Sequence, residues 1–264
     1  LSGIETIKVS SQSLSMSASQ WQSLGDKVQK ASGANTAFIL SVSEPGTVSL
    51  QADSAYLGLT GSAGDDQLLG NAANNILVGG AGSDVLNGFA GDDRLVSGAG
   101  LDNLQGGDGN DVLTISDKTL VRDVIAGGSG IDVLKVSDGQ DLSLASISGM
   151  EVLQVSGTVT LTVDQVAGFS EISGGTVQLA GSTSTFALSP DLRLTLGARV
   201  LLPAVDATVT ASSGLVGSKG DDVITGNAGD DAIYGGRGSD FLSGGAGDDT
   251  LVGASGTDTL MGGA

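Results

Sequence analysis

A nine-residue period dominates this chain. From Gly61 the sequence divides without a gap into GSAGDDQLL, GNAANNILV, GGAGSDVLN, GFAGDDRLV, SGAGLDNLQ and GGDGNDVLT. After residues 115–117 a degenerate unit, KTLVRDVIA (118–126), precedes GGSGIDVLK (127–135). A second array starts at Gly217 with GSKGDDVIT, GNAGDDAIY, GGRGSDFLS, GGAGDDTLV and GASGTDTLM. Position six reads Asp66, Asn75, Asp84, Asp93, Asp102, Asp111, Asp123 and Asp132, then Asp222, Asp231, Asp240, Asp249 and Asp258. Position eight is Leu or Ile in every unit. A unit this short cannot enclose its own apolar residue, so it becomes stable only by stacking on its neighbours.

Composition sharpens that constraint. Aromatics are 3% of the 264 residues, yet hydrophobic residues reach 39%, so the interior must be built from small and branched aliphatics. Glycine fills 44 positions. Of the 30 acids only Glu5, Glu44, Glu151 and Glu171 are glutamate; the rest are aspartate, whose short carboxylate suits tight turns and hard cations. A net charge of −19 disfavours nucleic acid and anionic membrane surfaces as partners. With no Cys and no His, disulfides, thiolate or imidazole metal sites and Ser–His or Cys–His catalysis are excluded. No apolar run is long enough to insert into a membrane. No signal peptide is visible, and Gly262, Gly263 and Ala264 begin a further repeat, so the chain reads as a piece of a longer protein.

Within each unit the glycines at positions one, two and four permit a sharp turn that points main-chain oxygens inward. The last three residues are expected to form a short strand with position eight facing in and positions seven and nine facing out. The acids in position five (Asp65, Asp92, Asp221, Asp230, Asp248) are expected to look outward and strengthen the local field. The G-x-G-x-x-G matches inside the arrays belong to this pattern and not to a nucleotide site, since no βαβ unit surrounds them.

The units fit G-G-x-G-x-D-x-U-x, with U a large aliphatic, and so resemble the repeats-in-toxin (RTX) family of calcium-binding nonapeptides. That resemblance implies an all-β fold, a parallel β-roll (β-solenoid) in which two units make one coil of eighteen residues. Asp66, Asp84 and Asp102 would then line one edge, and Asn75, Asp93 and Asp111 the other. Stacked carboxylates repel unless a cation joins them. Calcium takes six to eight oxygens and tolerates irregular geometry, whereas magnesium demands a tighter octahedron. The expected ligands are the position-six residues Asp66, Asp84, Asp93, Asp102, Asp111, Asp123, Asp132, Asp222, Asp231, Asp240, Asp249 and Asp258. Turn glycines join them: Gly61, Gly64, Gly79, Gly82, Gly91, Gly106 and Gly109 in the first array, and Gly217, Gly220, Gly226, Gly229, Gly235, Gly238, Gly244 and Gly247 in the second. Pairing each unit with the next but one predicts four sites in the first unbroken run and three in the second. The pair Asn75 and Asp93 is the weakest, because Asn75 is neutral and Ala73 replaces a turn glycine.

The remaining sequence is duplicated. LSGIETIKVS (1–10) aligns with ISGMEVLQVS (147–156), and SLSMSASQWQSL (13–24) with TVTLTVDQVAGF (158–169). The expected layout is a β-rich spacer (1–60), an RTX roll (61–135), the spacer again (136–216) and a second, truncated roll (217–264). A short helix is expected over 19–30, with Trp21 and Val166 at matching packing positions, and Glu5 and Glu151 in matching structural roles.

The spacers resemble those joining RTX blocks in large bacterial surface proteins. The resemblance implies type I secretion from a Gram-negative bacterium and a location outside the cell or on its surface. The expected function is a calcium-folded structural or adhesive module of an adhesin or surface-layer type, without catalytic activity. Its expected partners are calcium and copies of itself or a cell-surface component. One alternative is the carrier region of a secreted enzyme or toxin; another is a carbohydrate- or ice-binding module, although positions seven and nine are too mixed for ranks of threonine.

Overall fold

The computed structural model describes residues 7–9, 13–24, 28–30, 38–50, 57–116, 122–180, 185–187, 193–195, 199–201, 208–210, 215–217, 220–226 and 230–264. The chain forms two compact units, one of Leu1–Asp117, Val121–Lys135 and Leu144–Met150, the other of Lys118–Leu120, Val136–Ser143 and Glu151–Ala264. Both are parallel β-solenoids with almost no helix.

In the first unit consecutive repeats alternate between two parallel sheets. Leu59, Leu77, Leu95, Leu113 and Leu134 stand in register on one sheet. Val48, Leu68, Leu86, Leu104, Ile125 and Ile147 stand in register on the other. Each repeat thus rests on the repeat before last, one coil being eighteen residues, and the pairing crosses residues 60–61 without a break. From Val48 to Leu134 every position-eight aliphatic is fully buried. One buried Leu contributes about 1.5–3 kcal/mol. Ordering each backbone residue costs about 1–2 kcal/mol, so one aliphatic per nine residues does not hold the array together.

The three extra residues that follow Thr114 in the sequence leave the register unchanged. The coil that contains them grows to 21 residues, Asp102 meeting Asp123 as Asp84 meets Asp102. The inserted Ile115 is itself buried, adding an aliphatic to the widened coil.

The strands are longer than three residues, a departure from the sequence expectation. Ile76–Ala81, Val85–Ala90, Arg94–Ala99 and Asn103–Asp108 each run from position seven through position three of the next unit. Position one therefore also faces inward, as the buried Ser97 does. The continuation depends on position two taking a positive φ, which Gly80 (114°), Gly98 (112°) and Gly107 (118°) adopt without penalty. Phe89 occupies the same place at φ 75° and is 48% exposed. Phe89→Gly removes that strain and loses little packing. It is expected to stabilise the roll by about 1 kcal/mol, read as an increase in melting temperature at fixed calcium.

In the second unit Val152–Ser156, Glu171–Ser173 and Arg193–Thr195 pair in parallel, with Leu153 and Ile172 buried inside. Thr158–Thr162, Thr176–Ala180 and Arg199–Leu201 make a second ladder over Val159, Leu161, Val177, Leu179 and Val200. The second ladder continues through Leu215 and Ile233, while Ile224 and Leu242 stand in register on a further parallel sheet that begins at Thr185–Ala187, and all four are fully buried. Leu260 is 45% exposed because no described coil stacks beyond it.

Two capping boxes mark the duplication. The Ser17 N–H donates to Gln20 Oε1 (2.9 Å) and the Gln20 N–H to Ser17 Oγ (3.2 Å), opening helix α1 (Ala18–Leu24). The Thr162 N–H donates to Gln165 Oε1 (2.7 Å) and the Gln165 N–H to Thr162 Oγ1 (3.2 Å), opening helix α2 (Val163–Val166). The helix expected over 19–30 therefore stops at Leu24, and Val28–Lys30 is a strand paired with Ile7–Val9. Val166 is buried, and the Glu151 carbonyl accepts the Ser170 and Glu171 N–H groups. Glu5 lies outside the described residues.

Candidate metal centres

Position six is where the turn closes on the coil below. The N–H of Asp66 donates to Asp84 Oδ1 (2.8 Å) and that of Asp84 to Asp102 Oδ1 (2.9 Å). On the opposite edge the N–H of Asn75 donates to Asp93 Oδ1 (2.6 Å), Asp93 to Asp111 (2.7 Å) and Asp111 to Asp132 (2.7 Å). In the second array Asp222 donates to Asp240 (2.9 Å), Asp240 to Asp258 (3.1 Å) and Asp231 to Asp249 (2.9 Å). The structure thus places the position-six residues in columns, one side chain per edge per coil, an acid everywhere in these columns except at Asn75.

One oxygen of each carboxylate is spent on that bond. The other oxygen, Oδ2, of Asp84, Asp93, Asp111, Asp240 and Asp249 is buried and receives no hydrogen bond. An unserved, desolvated carboxylate oxygen is expensive. Burial accordingly pushes the carboxyls of Asp84 and Asp111 up to about 6 and that of Asp93 up to about 7. The backbone N–H opposes this rise and neighbouring carboxylates add to it. The Asp240 carboxyl is raised for the same reasons.

Each unserved oxygen faces a cradle. A methyl group placed on Gly79 would meet Asp84 Oδ2 and the Ser97 carbonyl oxygen. On Gly106 it would meet Asp111 Oδ2 and the Gly127 carbonyl; on Gly235, Asp240 Oδ2 and the Gly253 carbonyl; on Gly244, Asp249 Oδ2 and the Gly262 carbonyl. Gly61, Gly217 and Gly226 are crowded in the same way by the acid of their own unit and a carbonyl of the next coil. Position four is glycine for another reason: Gly82, Gly91, Gly109, Gly238 and Gly247 have φ between 106° and 133°. Gly64 does not take positive φ, and Gly229 lies outside the described residues.

Among the described residues no three acidic side chains converge on one point. The donor set is instead one carboxylate oxygen with main-chain oxygens, all hard, which suits calcium. Calcium held there supplies the positive charge that the buried oxygens lack.

The exposed Asp65, Asp92, Asp221 and Asp230 do more than add field. Asp65 Oδ1 accepts the Ser83 N–H (2.7 Å), Asp92 the Asn110 N–H (2.9 Å), Asp221 the Ser239 N–H (2.7 Å) and Asp230 the Asp248 N–H (3.0 Å). Asn74 and Asn110 do the same for Asp92 and Ile131. This outer ladder was not expected. Its signal was an Asp or Asn at position five of units one, two, four and six of the first run (Asp65, Asn74, Asp92, Asn110) and of units one, two and four of the second (Asp221, Asp230, Asp248), a position the repeat pattern leaves unspecified.

Protons and calcium compete for the same oxygens, which gives a pH prediction of two signs. These carboxyls lie above their ordinary value of 3.8, so protonation favours the calcium-free roll. That stabilisation is complete below about pH 4 and vanishes as pH rises through 6 to 7. Calcium binding needs the deprotonated form, so acidification from pH 8 to pH 5 should raise the calcium requirement, approaching about tenfold per pH unit below pH 6. Circular dichroism with and without calcium across this range checks both directions.

A family model described as the RTX calcium-binding nonapeptide repeat (4 copies) matches residues 59–86, 87–114, 122–143, 215–242 and 234–264. No curated protein matches the chain. Repeats of this kind are typical of proteins secreted by Gram-negative bacteria. With matching repeats, parallel coils and buried carboxylates each facing a carbonyl, the chain is an RTX repeat protein whose β-rolls bind calcium.

Proposed function

We propose that this chain is a calcium-folded structural or adhesive module of a secreted bacterial surface protein, of the adhesin or surface-layer type, and that it is not an enzyme. The carrying observation is the column of buried Oδ2 atoms at Asp84, Asp93, Asp111, Asp240 and Asp249. Carboxylates so placed hold neighbouring coils apart until a cation joins them. Dissociation constants of extracellular calcium modules are about 10⁻⁴–10⁻³ M, so such sites stay empty in resting cytosol and fill outside the cell. The chain then leaves the cell unwound and folds on arrival. Position-six residues are the ligands, with main-chain oxygens of the turns.

The duplicated spacer and array, each bearing its own capping box, supports a building role over a catalytic one. None of the described helices is long and apolar enough to cross a membrane.

A calcium titration followed by circular dichroism tests the folding step. Chelated protein should lack most of its β-signal and regain it cooperatively near millimolar calcium, with magnesium ineffective. Full β-structure in chelator overturns the reading. For the adhesive role, labelled chain should bind bacterial cells or itself in calcium and detach in chelator; binding indifferent to calcium would remove it.

A further inference from the structure

The opening coil of the first array, residues 61–78, does not share the chemistry of the coils above it. Asp66 has no unserved oxygen. Its Oδ1 accepts the Gly46 N–H (2.8 Å), and its Oδ2 accepts both the Ser62 N–H (2.6 Å) and the Ser62 hydroxyl (2.9 Å). Across the coil Asn75 carries no charge at all. Its Oδ1 accepts the Asn71 N–H (2.7 Å), and its Nδ2 donates to Asn71 Oδ1 (3.2 Å), which also accepts the Ala73 N–H (2.8 Å). Both side chains in position two therefore reach back to position six and occupy the place where, one coil later, the Oδ2 atoms of Asp84 and Asp93 have no partner.

The backbone differs as well. Position two and position four take positive φ at Gly80, Gly82, Phe89, Gly91, Gly98 and Gly100, but not at Ser62, Gly64, Asn71 or Ala73. With a different turn the strand Gln67–Leu69 ends at position nine instead of running on. The coil is nonetheless well seated: Leu68 lies in register with Val48, Leu77 with Leu59, and all four are fully buried.

We propose that this first coil is a metal-independent winding, closed by hydrogen bonds where later coils need calcium, and that it is the template on which the calcium-dependent coils stack. Two of the thirteen repeats that match the motif thus carry no ion of their own, and the first calcium of the array belongs to the coil of Asp84 and Asp93. A cation at Asp66 would have to displace three donors already in place; at Asn75 it would meet no charge. The second array opens with the same residues in position two, Ser218 and Asn227, which lie outside the described residues. The proposal rests on the reading that the later coils are joined by calcium, and its test separates the two.

Hydrogen exchange read by mass spectrometry on the full chain, in chelator and in millimolar calcium, provides that test. In chelator, amides of residues 67–78 should exchange at least about tenfold more slowly than those of residues 94–114, which calcium alone should protect. Equal, fast exchange of both segments in chelator overturns the template. If residues 94–114 are protected in chelator too, calcium-driven folding is what fails. The triple variant Asn71→Gly, Ala73→Gly, Asn75→Asp restores the repeat pattern; native mass spectrometry should count one more calcium ion, and residues 76–78 should lose their protection in chelator. An unchanged count overturns the assignment even if the parent's exchange pattern holds.

Discussion

Asp111→Asn should remove one calcium ion and raise the calcium needed to fold the roll by about tenfold, equivalent to about 1.4 kcal/mol. The asparagine keeps Oδ1, so the Asp93 N–H retains its acceptor at 2.7 Å. It replaces the unserved, fully buried Oδ2 by an amide donor beside the Gly127 carbonyl, where a cation is no longer welcome. The variant also loses a charge whose desolvation pushes its carboxyl up to about 6. It should therefore be more ordered than the parent in chelator and less ordered at limiting calcium. A purely structural aspartate would not reverse sign between the two conditions. Calorimetric ion counts and dichroism midpoints read both effects. The same ion count with an unshifted midpoint would end the ligand assignment. Asp65→Asn is the control, since its exposed carboxylate accepts the Ser83 N–H in the outer ladder and acts on Asp84 only as the smallest of the neighbouring charges. Its change should stay within about 0.5 kcal/mol.

Gly106→Ala attacks the same cradle from its floor. The added methyl would fall on Asp111 Oδ2 and the Gly127 carbonyl, the oxygens assigned to the ion. Overpacking alone costs about 1–3 kcal/mol. Because one contact is main chain and the other a short, buried carboxylate held by the Asp93 N–H, relief requires the two coils to separate, which also opens the strand ladder between Asn103 and Val124. The expected result is loss of one ion and at least a tenfold higher calcium midpoint. Gly262→Ala is the matched test of mechanism: it too is position one, but nothing lies within 4 Å of its methyl and its φ is not positive. It should fold like the parent. If both alanines behave alike, crowding of the cradle is not what selects glycine at position one.

The repeat pattern made the roll legible before any coordinates. A position-eight aliphatic in every unit can be buried only by stacking, and an acid fixed at position six must meet its counterpart when units stack. Leu77 over Leu95 and Asp84 over Asp102 follow from those two facts. Strand length was not legible, because whether Gly80 ends a strand or carries it into the next unit depends on the coil beneath it. Nor was the three-residue insertion, whose Ile115 looks like linker and is core.

Periodicity alone determined the parallel winding, the aliphatic interior and the columns of aspartate, since each needs only the identity of a residue and its distance along the chain. Which oxygen of each carboxylate is already served was decided by the fold. Ser62 and Asn71 occupy an unremarkable place in the motif, and only the closed coil brings them onto Asp66 and Asn75. Hydrogen bonding is directional and short-ranged, so a one-dimensional pattern can state that a carboxylate is present but not whether it still lacks a partner.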